Sequence, residues 1–290
     1  MTKSARVLRY FALLTIAVAS AGCGPRLNDA GGAPATDRVY ARVLNSGVIH
    51  CAYATYPPGL VKDPNTQKVS GAFADVVESA AAGLGLKVEW TTEVGWGSMI
   101  EGLEADRYDM VCGPVWANST RARLADFGAP IYYSAIGAYV RKGDHRFTNL
   151  ALINDPKVKI ATIDGEMSSI IAASDFPKAS QVSLPQLSDN SQMLLNVQSG
   201  RADVTFVETI VADQYLAHNP GTIENLNLDH PIRVFPTTVM FRKGEPKLKS
   251  MMDVAIQEQI NAGILDKVFK KYGLPKGSFL PPAQPYGSAQ

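Results

Sequence analysis

From Val48 onward, short apolar runs alternate with longer stretches whose apolar residues recur at helical spacing. Val48-Ile49-His50-Cys51-Ala52-Tyr53 reads as a strand, stopped by Tyr56-Pro57-Pro58-Gly59. Phe73 to Leu84, carrying Ala74, Val76, Val77, Ala80 and Ala81, reads as a helix closed by Gly83 and Gly85. Leu86 to Trp90 alternates as a strand does. Met99 to Leu103 opens another helix, and Tyr108 to Cys112 forms the next strand. Repeated β–turn–α units predict an α/β domain built on a largely parallel sheet.

One phrase occurs twice. MIEGLEADRYDMVCGPV (Met99 to Val115) aligns with MLLNVQSGRADVTFVET (Met193 to Thr209): helix, small or acidic turn, basic residue, aspartate after one residue, apolar strand. The spacing of about 95 residues is too long for a solenoid repeat. Chance similarity of helix–strand units would look the same, but two similar α/β lobes account for the distance as well. In open α/β sheets ligands sit beyond the carboxyl ends of strands, which makes a cleft between two lobes the expected pocket.

Ahead of this body the pattern changes character. Lys3, Arg6 and Arg9 form a cationic start, followed by an uncharged, mostly apolar run of 12 residues from Tyr10 to Ala21. Such a run is shorter than the ~18 residues of a transmembrane helix and fits a secretory signal. It ends in Ser20-Ala21-Gly22-Cys23, which resembles a bacterial lipobox whose cysteine is lipidated, although Ser20 stands where leucine is preferred. An ordinary signal cleaved nearby is the alternative. Residues 1–22 are thus expected to be an export signal and 23–37, rich in Gly, Pro and Ala, a flexible tether. The folded body is expected over 38–280 and a tail over 281–290.

The 28 Lys+Arg against 27 Asp+Glu give no basic excess, which argues against a nucleic-acid partner. Loss of residues 1–22 would leave 25 basic against 27 acidic groups, a net charge of −2. Hydrophobic residues at 46% and charged residues at 19% support a sizeable core. Three cysteines without CxxC spacing and four scattered histidines point to no metal site and no cofactor.

The runs TYPPG, SGAFADVVESAAAGLGLKVEW, WGSMIEGLEADRYDMV and STRARLADFGAPIYYS resemble the family 3 extracellular solute-binding proteins, the polar amino-acid receptors of ABC importers. The order continues through KVKIATIDGEMSS, RADVTFVE and VMFRKGEPKLKSMMDVAIQEQINAGILDKVFKKYG. The resemblance implies a two-lobe clamshell of the type II class, each lobe a mainly parallel sheet flanked by helices. Two crossover strands would lie near Tyr132–Ala138 and Val234–Met240. Lobe 1 would take 38–134 plus 238–280, and lobe 2 would take 135–237.

It also implies ligand positions. The carboxylate-clamping arginine falls on Arg121 in NSTR, with Asn118 as helix N-cap, where free N–H groups and a guanidinium fork suit an anion. An interlobe ion pair is the structural alternative for Arg121. The aromatic platform falls on Trp96, the ammonium-pairing acid of lobe 2 on Glu208, and the ligand-facing loop on Glu166, Met167 and Ser168. Tyr53, Tyr56, Gly113 and Trp116 complete the expected ligand set. Two departures change its chemistry. The early aspartate of the family is Tyr53 here, and its Ser/Thr-rich turn is Cys112-Gly113-Pro114-Val115-Trp116. More π surface and fewer hydroxyls would suit an aromatic or cationic ligand. Cys51 and Cys112 would lie on neighbouring strands as a candidate disulfide or as two buried thiols.

The expected function is an extracytoplasmic receptor, monomeric, lipid-anchored at Cys23 and without catalytic activity. It would hand a small carboxylate-bearing ligand to an ABC permease. A cyclohexadienyl-dehydratase-like enzyme and a sensing or accessory subunit of the envelope share the scaffold and remain as alternatives.

Overall fold

The computed structural model describes residues 37–226, 230–274 and 279–282, so the expected signal, Cys23 and nearly all of the expected tether and tail lie outside the described residues. Along the chain run α1 (Arg38–Ser46), β1 (Val48–Tyr53), β2 (Val61–Lys62), β3 (Val69–Ser70), α2 (Ala72–Gly83), β4 (Lys87–Glu93), α3 (Met99–Glu104) and β5 (Met110–Trp116). Then follow α4 (Ser119–Ala122), β6 (Ala125–Phe127), β7 (Tyr132–Arg141), a 3-10 turn at Leu150–Ile153, β8 (Lys159–Ile163), α5 (Met167–Asp175), β9 (Ser180–Leu184) and α6 (Ser191–Gln198). The chain closes through β10 (Val204–Glu208), α7 (Thr209–His218), β11 (Ile223–Asn225), β12 (Arg233–Arg242), α8 (Pro246–Asn261) and α9 (Ile264–Lys271).

The strands order as β4-β1-β5-β12-β7-β10-β8-β9, with β6 on β12 and β11 on β7. Two parallel triplets, β4-β1-β5 and β10-β8-β9, flank the antiparallel pair β12 and β7. That pair is the double crossover. Arg233–Thr237 of β12 lies on Ile136–Tyr132 of β7, while Thr237–Phe241 continues onto β5. The remainder of β7 pairs with β10. This is the type II clamshell with α/β lobes.

The repeated sequence phrase is a repeated piece of structure, with α3–β5 in one lobe and α6–β10 in the other. Its aspartate does the same work in both. The Asp109 carboxylate accepts from His50 N at 2.7 Å, and its own N–H donates to His50 O at 2.8 Å. Asp203 accepts from Lys159 N at 2.9 Å and donates to Lys159 O at 2.7 Å. Each aspartate pins the start of the neighbouring parallel strand, β1 or β8. An arginine partner, Arg42 or Arg146, compensates its charge.

The strand expected over Tyr108–Cys112 begins at Met110 and runs to Trp116. Tyr108 is taken out of it because its hydroxyl donates to Met99 O at 2.6 Å, folding the ring under α3. At the far end Leu280 pairs with Tyr133, and the buried Phe279 packs on Tyr132 with ring centroids 4.3 Å apart. The end of the body is thereby tied to the crossover.

Cys51 and Cys112 form a disulfide with Cα atoms 5.4 Å apart, within the usual range. Here the register pairs Cys51 with Met110, so Cys112 sits diagonally, two residues farther along β5.

Candidate functional site

The carboxyl ends of β1, β5, β8 and β10 converge where the lobes meet. Tyr56, Trp96, Pro114, Trp116, Arg121, Glu166 and Met167 line a small enclosed cavity there, of about 10 Å³. That is room for about one water, far below the ~300 Å³ at which ligand pockets begin. Ligand entry therefore needs the lobes to part.

Arg121 enters from α4, where Asn118 accepts from Arg121 N at 3.0 Å as the expected N-cap. The guanidinium is buried at 8% exposure, and its Nη2 donates to Trp96 O at 3.2 Å and to Gly165 O at 2.7 Å. Gly165 belongs to the opposite lobe, so this arginine bridges the cleft. Burial draws its pKa down and the Glu166 carboxylate opposes that; a guanidinium stays charged regardless. Around it the backbones come very close. A Cβ on Gly165, which has φ +73°, would lie 2.6 Å from Gly97 Cα. Gly97 N also donates to Gln186 Oε1 at 3.1 Å. Glycine is required where two main chains touch in this way.

Glu166 caps α5: its carboxylate accepts from Ser168 N at 2.6 Å and from the Ser168 hydroxyl. Ser168 Oγ in turn accepts from Ile163 N at 3.2 Å. Burial raises the Glu166 pKa, while the Ser168 bonds and Arg121 pull it back. Both side chains are thus committed to holding the loop. Met167 reaches the cavity wall with Sδ 3.6 Å from Asn118 Nδ2.

Glu208 ends β10 and does not cap α7 with its side chain. It is 2% exposed, and its oxygens stand against Ser134, Tyr56 and Trp116 without completing a bond of standard geometry. Burial pushes its pKa up to about 7; nearby Ser134, Tyr56 and Trp116 draw it down, and Glu166 adds repulsion. The buried Tyr56 hydroxyl stands against the Glu208 carboxylate, and the buried Tyr132 hydroxyl completes no hydrogen bond; burial first and Glu208 second raise the pKa of both. Unsatisfied buried groups of this kind are expensive and are found where a partner is to be supplied.

The aromatic frame is fixed by its own contacts. Trp96 meets Tyr56 edge to face at 5.9 Å, and Trp116 stacks on Phe235 at 5.2 Å. The structure thus brings together Tyr56, Trp96, Trp116, Arg121, Glu166 and Met167, with Glu208 against Tyr56 and Trp116 and Ser168 behind Glu166. Tyr53 and Gly113 are placed elsewhere. Tyr53 packs with Leu60, Val69 and Ala74 and meets Trp90 edge on at 5.9 Å. Gly113 lies against the β1 backbone, where a Cβ would sit 3.3 Å from Ala54 N.

A family model for bacterial extracellular solute-binding proteins, family 3, matches residues 48–275. The chain belongs to this family. It is a solute-binding receptor with the two-lobe fold of that family. Among curated relatives, the L-cystine-binding protein TcyA of Bacillus subtilis (strain 168) is 28% identical over 273 residues, covering 92% of this chain and 96% of the relative. The arginine-binding extracellular protein ArtP of the same organism is 23% identical, covering 76% of this chain and 83% of the relative. Among solved structures, the ancestral amino acid-binding protein AncCDT-1, a precursor of cyclohexadienyl dehydratase, matches with TM-score 0.70. It is 24% identical over 82% of this chain and 99% of that one. AbpA of Streptococcus pneumoniae, bound to L-arginine, matches with TM-score 0.69 at 19% identity, covering 80% and 97%. The family and the named relatives are binding proteins.

Sequence reasoning missed Tyr132, Ser134 and Gln186. The first two were legible in principle, since YYSAI places polar groups at the start of a crossover that must face the cleft. No local signal marks Gln186, which matters only because the opposite lobe docks on it.

Proposed function

We propose that this receptor captures a free amino acid between its lobes. Arg121 grips the carboxylate, and Glu208, with the Tyr56 and Tyr132 hydroxyls, takes the ammonium. One observation carries this reading: a buried guanidinium lines the same cavity whose Tyr56 and Trp116 adjoin a buried carboxylate that forms no ion pair among the described residues. A zwitterion supplies what each lacks, and bridging the cleft lets its binding energy select the closed state. Trp96 and Trp116 form the apolar walls.

The ligand leaves unchanged, delivered to an ABC permease. Conversion of a dicarboxylate would call for a second anion clamp, and Arg121 is the one cation lining the cavity among the described residues. The relatives' names, which include cystine and arginine binding, support the amino-acid class. The protein acts outside the cytoplasm as a monomer held by a lipid on Cys23. Its lobes divide at the two crossovers, near residues 134 and 238.

A thermal-shift screen over free amino acids, followed by calorimetry on the best ligand, tests this. Arg121→Ala should lower affinity more than tenfold, as expected for loss of a charge-assisted contact worth about 2–5 kcal/mol. Arg121→Lys should also bind poorly, because a point charge does not replace the fork. Unchanged affinity in a folded Arg121→Ala protein would remove the clamp.

A further inference from the structure

The polar corner around Glu208 has a support that lies outside the cavity. Tyr132 and Ser134 share one face of β7, because side chains alternate along a strand, and both stand against Glu208. Tyr133, between them, fixes how they are presented. Opposite it on β12 is Pro236, which has no N–H to give, and β10 reaches β7 only as far as Ile136. Tyr133 turns its backbone the other way. Its N–H donates to Leu280 O at 2.7 Å, and its carbonyl accepts from Leu280 N at 2.9 Å.

Phe279 continues this support into the side chains. It is buried, with its ring centroid 4.3 Å from that of Tyr132 and 5.4 Å from that of Phe269 on α9. Phe73 of α2 meets Tyr132 edge to face at 6.1 Å. None of these phenylalanines lines the cavity. The Tyr132 ring thus rests on apolar rings while its hydroxyl reaches the polar corner. Helix α9 packs on α2 in the lobe built on β4-β1-β5, whereas Glu208 ends β10 of the other lobe. The ring stack therefore carries the Tyr132 hydroxyl with one lobe and brings it to Glu208 when the lobes close. A hydroxyl displaced by about 1 Å no longer completes a hydrogen bond there.

We propose that Phe279 and Leu280, which line no part of the cavity, are positioning residues for ligand capture. Leu280 holds the backbone of Tyr133, and Phe279 holds the ring of Tyr132, so that the Tyr132 hydroxyl meets the ligand's ammonium beside Glu208. This rests on the reading of Glu208 and Tyr132 as the ammonium site and extends it to a segment far from the cleft in sequence. Phe279 acts on affinity only through Tyr132.

Calorimetry on the full chain at pH 8, with the common L-amino acids and L-cystine as probes, selects the tightest binder for a double-mutant cycle. Tyr132→Phe, which removes only the hydroxyl, should weaken its binding about tenfold. Phe279→Ala should weaken it about fivefold or more, and the double variant should bind within about twofold of Tyr132→Phe alone. Leu265→Ala, which truncates another buried residue of the same lobe on α9, should lower the unfolding temperature and leave affinity unchanged. Where Phe279→Ala does not fold, Phe279→Leu, which keeps most of the volume, carries the same cycle. Wild-type affinity in a folded Phe279 variant, losses that add in full, or an equal loss in Leu265→Ala would each overturn the proposal. If Tyr132→Phe binds as the wild type does, Tyr132 leaves the ammonium site and the proposal falls, while Arg121 and Glu208 keep their own tests. If no amino acid binds at all, both readings fall.

Discussion

Glu208 should make ligand capture depend on pH in a way that a surface carboxylate would not. Its pKa is raised from 4.5 to about 7, chiefly by burial. A carboxyl with a raised folded-state pKa binds protons more readily in the folded chain than in the unfolded one. Its contribution to stability is therefore fully present below pH 4.5 and is lost as pH rises through about 7. The loss is about 3 kcal/mol, at roughly 1.4 kcal/mol per pH unit. Ligand binding runs the other way, since only the ionised carboxylate attracts an ammonium. With a pKa of about 7 the ionised share falls from most of the molecules at pH 8 to about one in a hundred at pH 5. Affinity for an amino acid should accordingly drop on the order of a hundredfold over that range, while the ligand's own groups do not titrate within it. Calorimetry at pH 6 in two buffers of different ionisation enthalpy should show close to one proton released per ligand bound. Glu208→Gln should bind weakly at pH 8 with a flat profile, and should unfold at higher temperature than the wild type at pH 8 but not at pH 5. A wild-type affinity constant from pH 5 to 8, with no proton release, would refute the reasoning.

Three other outcomes follow from the same geometry. Gly165→Ala places a Cβ 2.6 Å from Gly97 Cα, so the variant should stay folded yet close incompletely; stopped-flow fluorescence should show ligand leaving at least tenfold faster, and an unaltered off-rate would contradict this. Cys51→Ser with Cys112→Ser opens a link of sequence separation 61, which by loop entropy should cost about 2–4 kcal/mol of stability in urea titrations; equal midpoints for oxidised and double-serine protein would count against it. A palmitate analogue should label the wild type and not Cys23→Ser, and equal labelling would end the lipid-anchor proposal.

The fold was readable because its determinants are local or repeated. Period changes marked β1, α2 and β4, and the repeated RYD and RAD phrases marked the same helix–strand unit twice in the chain. Tyr108 was misread because an apolar residue at a strand edge looks like strand until its hydroxyl finds Met99 O. In the site, Arg121 was legible from its capped helix and Glu208 from a carboxylate ending an apolar strand. Tyr53 was not, because its place in the family's alignment says nothing of its packing against Trp90. The interlobe seal of Gly97, Gly165 and Gln186 was hidden altogether. It depends on two distant loops touching, and nothing in either loop's sequence encodes the other's position.

On the proposed reading, one cleft grips both ends of a zwitterion, with Arg121 on the carboxylate and Glu208 on the ammonium. Calorimetry of the wild type at pH 8 tests it most directly, using the best amino acid from the screen, its carboxamide and its deaminated acid. One amino acid should bind per chain, with both analogues weaker by tenfold or more because each leaves one buried charge unpaired. A deaminated acid or a carboxamide that binds as tightly as the amino acid itself would contradict it.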